Sequence, residues 1–321
     1  RKAKTVRIMS KLVIDVTYLC NSNCNYCQWS HSNNLNSRKI ELSNLLVSEQ
    51  NLINLGISKI ILSGGEPILS KNLNPLLQYY HKLNLPIQLI SNGIELNHDK
   101  IIKMSNMGVK EFVISLDSLS YNIYKKNRQV NKKQFEKILD NINTISKLNE
   151  SRLGLNVVLT SANCSKSNVL SILEFAKDKK IFQVKFQPIF DDGYLSKNSP
   201  DLILTEKNIQ EIAKIKKQIK ESRYSNKFTN PADFWGDLQQ YLSGVPLDPV
   251  NCGVEDNSIL LHEGQLKFCF WCKHINYGKI NKTLKKSKIK KIKQEFTKGL
   301  SNCQVLPQCF CMQPLNHKWI K

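Results

Sequence analysis

The chain has 321 residues, a net charge of +21 and ten cysteines, and that length can bury a core far larger than a bare binding module needs. No stretch approaches the roughly 18 consecutive apolar residues of a membrane span, and the opening RKAKTVRIMSK carries no apolar run behind its charges, so a soluble, cytosolic protein is expected. The charge invites a nucleic-acid reading, yet only six of the 47 basic residues are Arg, the residue that base-reading and bidentate phosphate sites favour.

From residue 12 to about 190, short β-branched runs alternate with longer amphipathic stretches, which predicts repeated strand–helix units around a parallel sheet. Strands are predicted at 12–17, 59–62, 87–90, 111–116, 155–160 and 183–187, and helices near 42–55, 72–84, 98–107, 132–148 and 166–179. The apolar stripe Phe135, Ile138, Leu139, Ile142 and Ile145 shows the helical period most clearly. Six strands are too few for the eight-fold barrel, so the predicted fold is α/β, a partial (β/α)6 barrel over residues 1–200 with its functional residues at the C-terminal rim.

Residues 201–250 read as a helical linker, a Lys- and Ile-rich helix around 206–221 followed by a polar connector with Pro231, Pro246 and Pro249. Residues 251–321 form a small cysteine-rich unit, too short for a core of its own and suited to a metal staple. Within it a hairpin is predicted around Glu263 and Gly264, and the Lys-rich stretch 279–298, with Leu284, Ile289, Ile292 and Phe296 as apolar positions, reads as a solvated amphipathic helix.

The cysteines fall in two groups, Cys20, Cys24 and Cys27 near the start and Cys252, Cys269, Cys272, Cys303, Cys309 and Cys311 near the end, with Cys164 alone between them. A reducing cytosol keeps thiols free, so two metal sites explain them better than disulfides. The first group follows directly after the first predicted strand. Three thiolate ligands to a four-iron cluster leave one iron open to chemistry, whereas structural zinc wants four ligands and the loop offers no further donor beyond His31.

This C-x3-C-x2-C loop, with Tyr26 just before the third Cys, resembles the hallmark of the radical S-adenosylmethionine (radical SAM) superfamily. The resemblance implies a 4Fe-4S cluster whose open iron binds the amino and carboxylate groups of S-adenosylmethionine. One-electron cleavage then releases a 5′-deoxyadenosyl radical that abstracts hydrogen from a substrate. A second motif agrees: Gly64, Gly65, Glu66 and Pro67 follow the second predicted strand, where the superfamily's GGEP stretch meets the methionine amino group. Glycines allow a close backbone approach, and an ammonium needs an acceptor. By the same resemblance, Ser91 and Asn92 after the third strand, Ser115 and Asp117 at the fourth, Arg128 beyond it and Gln187 ending the sixth are expected to contact the cofactor. For each of these a turn or cap role is the alternative.

The C-terminal spacing C-x11-G-x4-C resembles the SPASM and twitch extensions of radical SAM enzymes, which hold auxiliary iron-sulfur clusters. Six cysteines fall short of the seven of a full SPASM domain, so a twitch-like single cluster is expected on Cys252 and Cys269 with two of Cys303, Cys309 and Cys311, a zinc ribbon being the alternative. The resemblance implies oxidation, epimerisation or crosslinking of a peptide or an aminoglycoside-type sugar, with flavodoxin or ferredoxin as reductant. The chain shows none of the extra N-terminal leader-binding domain of many peptide-modifying relatives, which favours a small substrate or a separately delivered peptide. Cys164, after the fifth strand, is a candidate hydrogen-atom donor of the epimerase type, with a small buried hydrophobe as the bland alternative. A radical SAM enzyme of RNA modification and a non-enzymatic iron-sulfur or zinc protein are the rival functions.

Overall fold

The computed structural model describes residues 10–27, 39–189, 194–222, 224–225, 227–245, 258–268 and 275–299. All six predicted strands are present within three residues of their expected ends, as β1 (Ser10–Asp15), β2 (Ile57–Ser63), β3 (Ile87–Ser91), β4 (Val109–Ser115), β5 (Arg152–Leu159) and β6 (Gln183–Pro188). The predicted helices between them appear as α1 (Glu49–Leu55), α2 (Leu73–Lys82), α3 (His98–Asn106), α5 (Lys132–Ser146) and α6 (Lys166–Asp178). Their starts are chemically marked: Ser48, Asn97, Asn131 and Ser165 each accept a backbone N–H of the first turn, which satisfies a donor the helix itself cannot.

One helix in this region escaped the periodicity, α4 (Tyr121–Arg128). After β6 come the short α7 (Tyr194–Asn198), α8 (Ile209–Ser222) and α9 (Ala232–Leu242). The expected polar connector is therefore corrected: Pro231 is the N-cap of α9, and Phe234, Trp235 and Leu238 are buried. A proline at a helix start marks an entry as readily as a linker.

The described strands form one sheet in the order β6-β5-β4-β3-β2-β1-β7-β8-β9, where β7 is Ser258–His262, β8 Gln265–Lys267 and β9 Asn276–Lys279. From β6 to β7 every pairing is parallel, and the predicted hairpin β7–β8 is antiparallel. The sheet does not close. The hairpin joins it by pairing β7 to β1, Lys11 opposite Ser258 and Val13 opposite Leu260, so this part of the C-terminal unit shares the main core instead of relying on a staple of its own. There Phe268 stacks on Phe296 of α10 (Lys286–Gly299), with ring centroids 4.0 Å apart.

Alternation along the strands divides the sheet into two faces. Leu12, Ile14, Ile60, Leu62, Leu89, Phe112, Ile114, Leu155, Val184 and Phe186 lie under the helices in the main core. The register carries the opposite parity across the sheet, from Lys11, Val13 and Asp15 on β1 to Lys59, Ile61 and Ser63 on β2, and from Glu111, Val113 and Ser115 on β4 to Arg152, Gly154 and Asn156 on β5. Lys185 and Gln187 continue it on β6. This inner face is mixed polar and charged, unlike the apolar faces of an ordinary buried parallel sheet.

Candidate active site

The loop after β1 carries Cys20, Cys24 and Cys27, none of them in a disulfide. It is fastened to the C-terminal end of α4, whose last carbonyls lack helical partners. Asn25 N donates to the Asn127 carbonyl at 2.9 Å, Asn25 Nδ2 to that of Lys126 at 2.7 Å, and Ser22 Oγ to that of Arg128 at 3.2 Å. Gln129, at φ 52°, ends the helix in the left-handed region. Ser22 Oγ also lies 3.2 Å from Cys24 Sγ, and Asn92 Nδ2 lies 3.8 Å from Cys20 Sγ. Ser22, Asn25 and α4 were invisible to the motif reading, although an Asn and a Ser inside a cysteine loop are a recognisable turn signal.

The GGEP turn packs directly against the backbone preceding Cys20. Gly65 N donates to the Thr17 carbonyl and Glu66 N to the Leu19 carbonyl, both at 2.7 Å. A Cβ on Gly65 would lie 2.3 Å from the Leu19 oxygen, and one on Gly64, at φ +117°, would lie 2.5 Å from the Thr17 oxygen. The close approach expected for a ligand is thus, in this fold, an approach of one strand end to the next. Pro67 opens the following 3-10 turn. The Glu66 carboxylate is fully buried: Oε1 accepts from Ser91 Oγ at 2.9 Å and Ile68 N at 3.3 Å, and Oε2 from Asn92 N at 2.7 Å. Burial pushes its pKa up to about 7 against these hydrogen bonds. Glu66, Ser91 and Asn92 therefore form one unit, and Asn92 Nδ2 extends it to Asn21 Oδ1 at 2.8 Å in the cysteine loop.

Asp117 and Arg128 are brought together, but with each other. Arg128 Nε donates to Asp117 Oδ2 at 2.8 Å and Nη2 to Oδ1 at 3.0 Å; Asp117 is fully buried and Arg128 nearly so. Tyr26 OH and Val158 N complete the carboxylate's acceptor sites, both at 2.9 Å. Each of these two charges is thus matched by the other in an enclosed pair, and Arg128 Nη1 also lies 4.0 Å from Cys24 Sγ. The pair holds Tyr26, and with it the end of the cysteine loop, to the rim of β4 and β5. Ser115 and Gln187 lie at the C-terminal ends of β4 and β6 on the inner face, both half-buried.

Cys164 is 2% exposed within the main core, and burial pushes its thiol up to about 12. In this structure the side chain packs as a small hydrophobe. The expected auxiliary ligands Cys252, Cys269, Cys303, Cys309 and Cys311, with Cys272 and His31, lie outside the described residues. A contact the sequence did not suggest ties the hairpin to the first loop. His262 Nδ1 meets Asp15 Oδ2 at 2.8 Å, and Tyr18 OH donates to Glu263 Oε1 at 3.0 Å.

Among the described residues no three His, Cys, Asp or Glu side chains converge as a finished metal cage. The donor chemistry of the loop nevertheless fits an iron-sulfur cluster. Burial first, then the neighbouring Cys24, Glu66 and Cys27, push Cys20 up to about 11, as buried, crowded thiols do. A cationic metal centre reverses both effects.

Residues 14–160 match the family model described as the Radical SAM superfamily. GTP 3',8-cyclase of Helicobacter pylori (strain ATCC 700392 / 26695) is 30% identical over 189 residues, 56% of this chain and 56% of that protein, so the match spans about half of the relative. Probable GTP 3',8-cyclase of Saccharolobus islandicus (strain M.14.25 / Kamchatka #1) is 24% identical over 276 residues, 83% of this chain and 84% of that one. Among solved structures, Streptococcus suis SuiB bound to precursor peptide SuiA superposes with a TM-score of 0.65 at 13% identity, covering 94% of this chain and 71% of that one. Native anSMEcpe with bound AdoMet gives 0.63 at 18%, covering 95% and 89%. These two structures share the fold.

Proposed function

From the premise that residues 14–160 form a radical SAM domain, we propose that Cys20, Cys24 and Cys27 hold its 4Fe-4S cluster, that S-adenosylmethionine lies beside the GGEP turn, and that a small substrate occupies the inner face of the sheet. The observation that carries this reading is the pair of 2.7 Å hydrogen bonds from Gly65 and Glu66 to Thr17 and Leu19, which locks the two motifs side by side at the C-terminal rim. When bound, the cluster and S-adenosylmethionine supply one-electron sulfonium cleavage and a carbon radical for hydrogen abstraction.

The chain's own residues shape what surrounds that chemistry. The unit of Glu66, Ser91 and Asn92 fixes the rim of β2 and β3, and Tyr26 on Asp117 fixes the far end of the cysteine loop. Ser115 and Gln187 present polar groups toward the substrate. The names of the curated relatives make GTP the first substrate to test, ahead of the peptide or sugar that the C-terminal cysteines suggested. Those cysteines remain assigned to one auxiliary cluster, and a flavodoxin or ferredoxin to electron delivery.

The test is anaerobic reconstitution with iron and sulfide, then dithionite and S-adenosylmethionine, with 5′-deoxyadenosine as the readout. Wild-type protein should form it, Cys24→Ala should not, and GTP should raise the yield and be consumed. Protein that binds only zinc, or a Cys24→Ala variant of normal rate, would sink the reading. Iron of more than four atoms per chain would support the auxiliary site.

A further inference from the structure

Residues 282–291, which lead into and open α10, hold six lysines and no acid. Lys282, Lys285, Lys286, Lys288, Lys290 and Lys291 are all exposed, so six positive charges of a chain whose net excess is 21 stand on ten of its 321 residues. Ile289, Ile292 and Phe296 form the face that α10 buries. At about 100° per residue, Lys290 and Lys291 point away from that face, and Lys286 flanks them one turn earlier.

Other exposed lysine-bearing helices answer their charges locally. Lys132 lies 4.0 Å from Glu136 on α5, and Lys214 and Lys217 lie 2.6 and 3.8 Å from Glu211 and Glu221 on α8. None of the six lysines of 282–291 forms an ion pair among the described residues. The arrangement works against the helix twice. Lys286 with Lys290, and Lys288 with Lys291, repel at i, i+4 and i, i+3. The first turn, with Lys286 and Lys288, holds no acid where the macrodipole favours one. An apposed anionic surface relieves both effects at once.

The chemistry of the face selects the kind of surface. Residues 282–298 contain no arginine, and their one aromatic ring, Phe296, is buried, so the planar donors and stacking platforms of nucleic-acid sites are missing. Exposed ammonium groups act as point charges, which speed encounter with an acidic protein more than they hold it. The chain also ties α10 to cysteines assigned above to the auxiliary cluster. Cys269 directly follows Phe268, whose ring stacks on Phe296, and Cys303 lies four residues beyond Gly299, at most about 14 Å of extended chain. We propose that the lysine face of α10 is the docking surface for a small acidic electron-carrier protein, which loses one electron as the enzyme's iron-sulfur centre gains one for each S-adenosylmethionine cleaved. The proposal rests on the radical SAM reading and adds to it the place where the electron enters.

The test uses the full chain with its clusters reconstituted and flavodoxin as the probe, in two arms. Calorimetric titration with oxidised flavodoxin at low salt should saturate one site in wild type and weaken at least about tenfold in the triple variant Lys286→Glu, Lys290→Glu, Lys291→Glu. An equal reversal on α5, Lys132→Glu with Lys133→Glu and Lys137→Glu, should change it less than about twofold. In the second arm, reduced flavodoxin drives 5′-deoxyadenosine formation. The α10 variant should raise the KM for flavodoxin at least about tenfold and lose its salt dependence, while the rate with dithionite stays that of wild type. The corresponding Gln variants should fall between, and the thermal midpoint of all α10 variants should equal or exceed that of wild type, since repulsion is relieved. Absent saturation in wild type, or equal weakening by the α5 reversal, overturns the proposal. So does transfer RNA binding that vanishes in the α10 variant while flavodoxin kinetics stay unchanged. No 5′-deoxyadenosine from wild type with dithionite would count against the radical SAM reading, and the binding arm would still decide the docking surface.

Discussion

Arg128, the last residue of α4, closes on Asp117 through paired hydrogen bonds of 2.8 and 3.0 Å, and the same carboxylate receives the hydroxyl of Tyr26, one residue before Cys27. A pair of ions buried beneath the cysteine loop thereby becomes the loop's anchor. Arg128 also lies 5.5 Å from the centre of the Tyr26 ring and 5.8 Å from that of Tyr124, a cation held between two aromatic rings.

Arg128→Met should therefore act on folding before it acts on binding. Asp117 would remain buried with its charge unmatched, a loss of about 3–5 kcal/mol, while Asp117→Leu combined with Arg128→Met should recover a large part of it. Denaturant unfolding of the apoprotein measures this. Full stability in Arg128→Met, joined to lost S-adenosylmethionine affinity, would assign Arg128 to the cofactor.

Gly65→Ala tests the seam between the two motifs. Its methyl group meets the Leu19 and Tyr18 oxygens at 2.3 and 2.8 Å, backbone atoms that can yield only by shifting the chain just before Cys20. Iron content after reconstitution should fall several-fold, with the circular dichroism of the helices retained. Gly236→Ala, whose nearest neighbour is the flexible end of Lys216 at 2.9 Å, serves as the mild control. Equal iron in both variants would contradict the coupling.

Cys164→Ala should cost about 1–2 kcal/mol, the scale of a small cavity in a packed core, and leave 5′-deoxyadenosine formation unchanged. A loss of product deuteration in deuterated water, without loss of cofactor cleavage, would assign Cys164 the role of hydrogen donor.

Lys185 gives a pH signature. Its pKa falls from 10.5 in the unfolded chain to about 8 in the fold, so between those values the unfolded state binds more protons and folding gains stability as pH rises. Below pH 8 both states are charged and the full penalty stands, on the order of 2–3 kcal/mol. Lys185→Met should accordingly exceed wild type in stability at pH 7, with the advantage shrinking steadily from pH 8 toward 10.5. A difference independent of pH would show that the ammonium is not desolvated.

The six parallel strands, the helices between them, the cysteine loop and the GGEP turn could all be read directly from the chain, because strand and helix periodicity, capping side chains and a three-ligand spacing are local properties that depend on neighbours a few residues away. Helix α4 and helix α9 could not, since Tyr121–Arg128 is polar on most positions and Pro231 signals a break and a start equally well. Nor could the sequence decide which charges meet. Asp117 with Arg128, Asp15 with His262, and Tyr18 with Glu263 are 11, 247 and 245 residues apart, and the last two meet only once β7 docks on β1. Electrostatic partnership depends on distance in space and on the water removed around each charge, and the tertiary structure alone sets both.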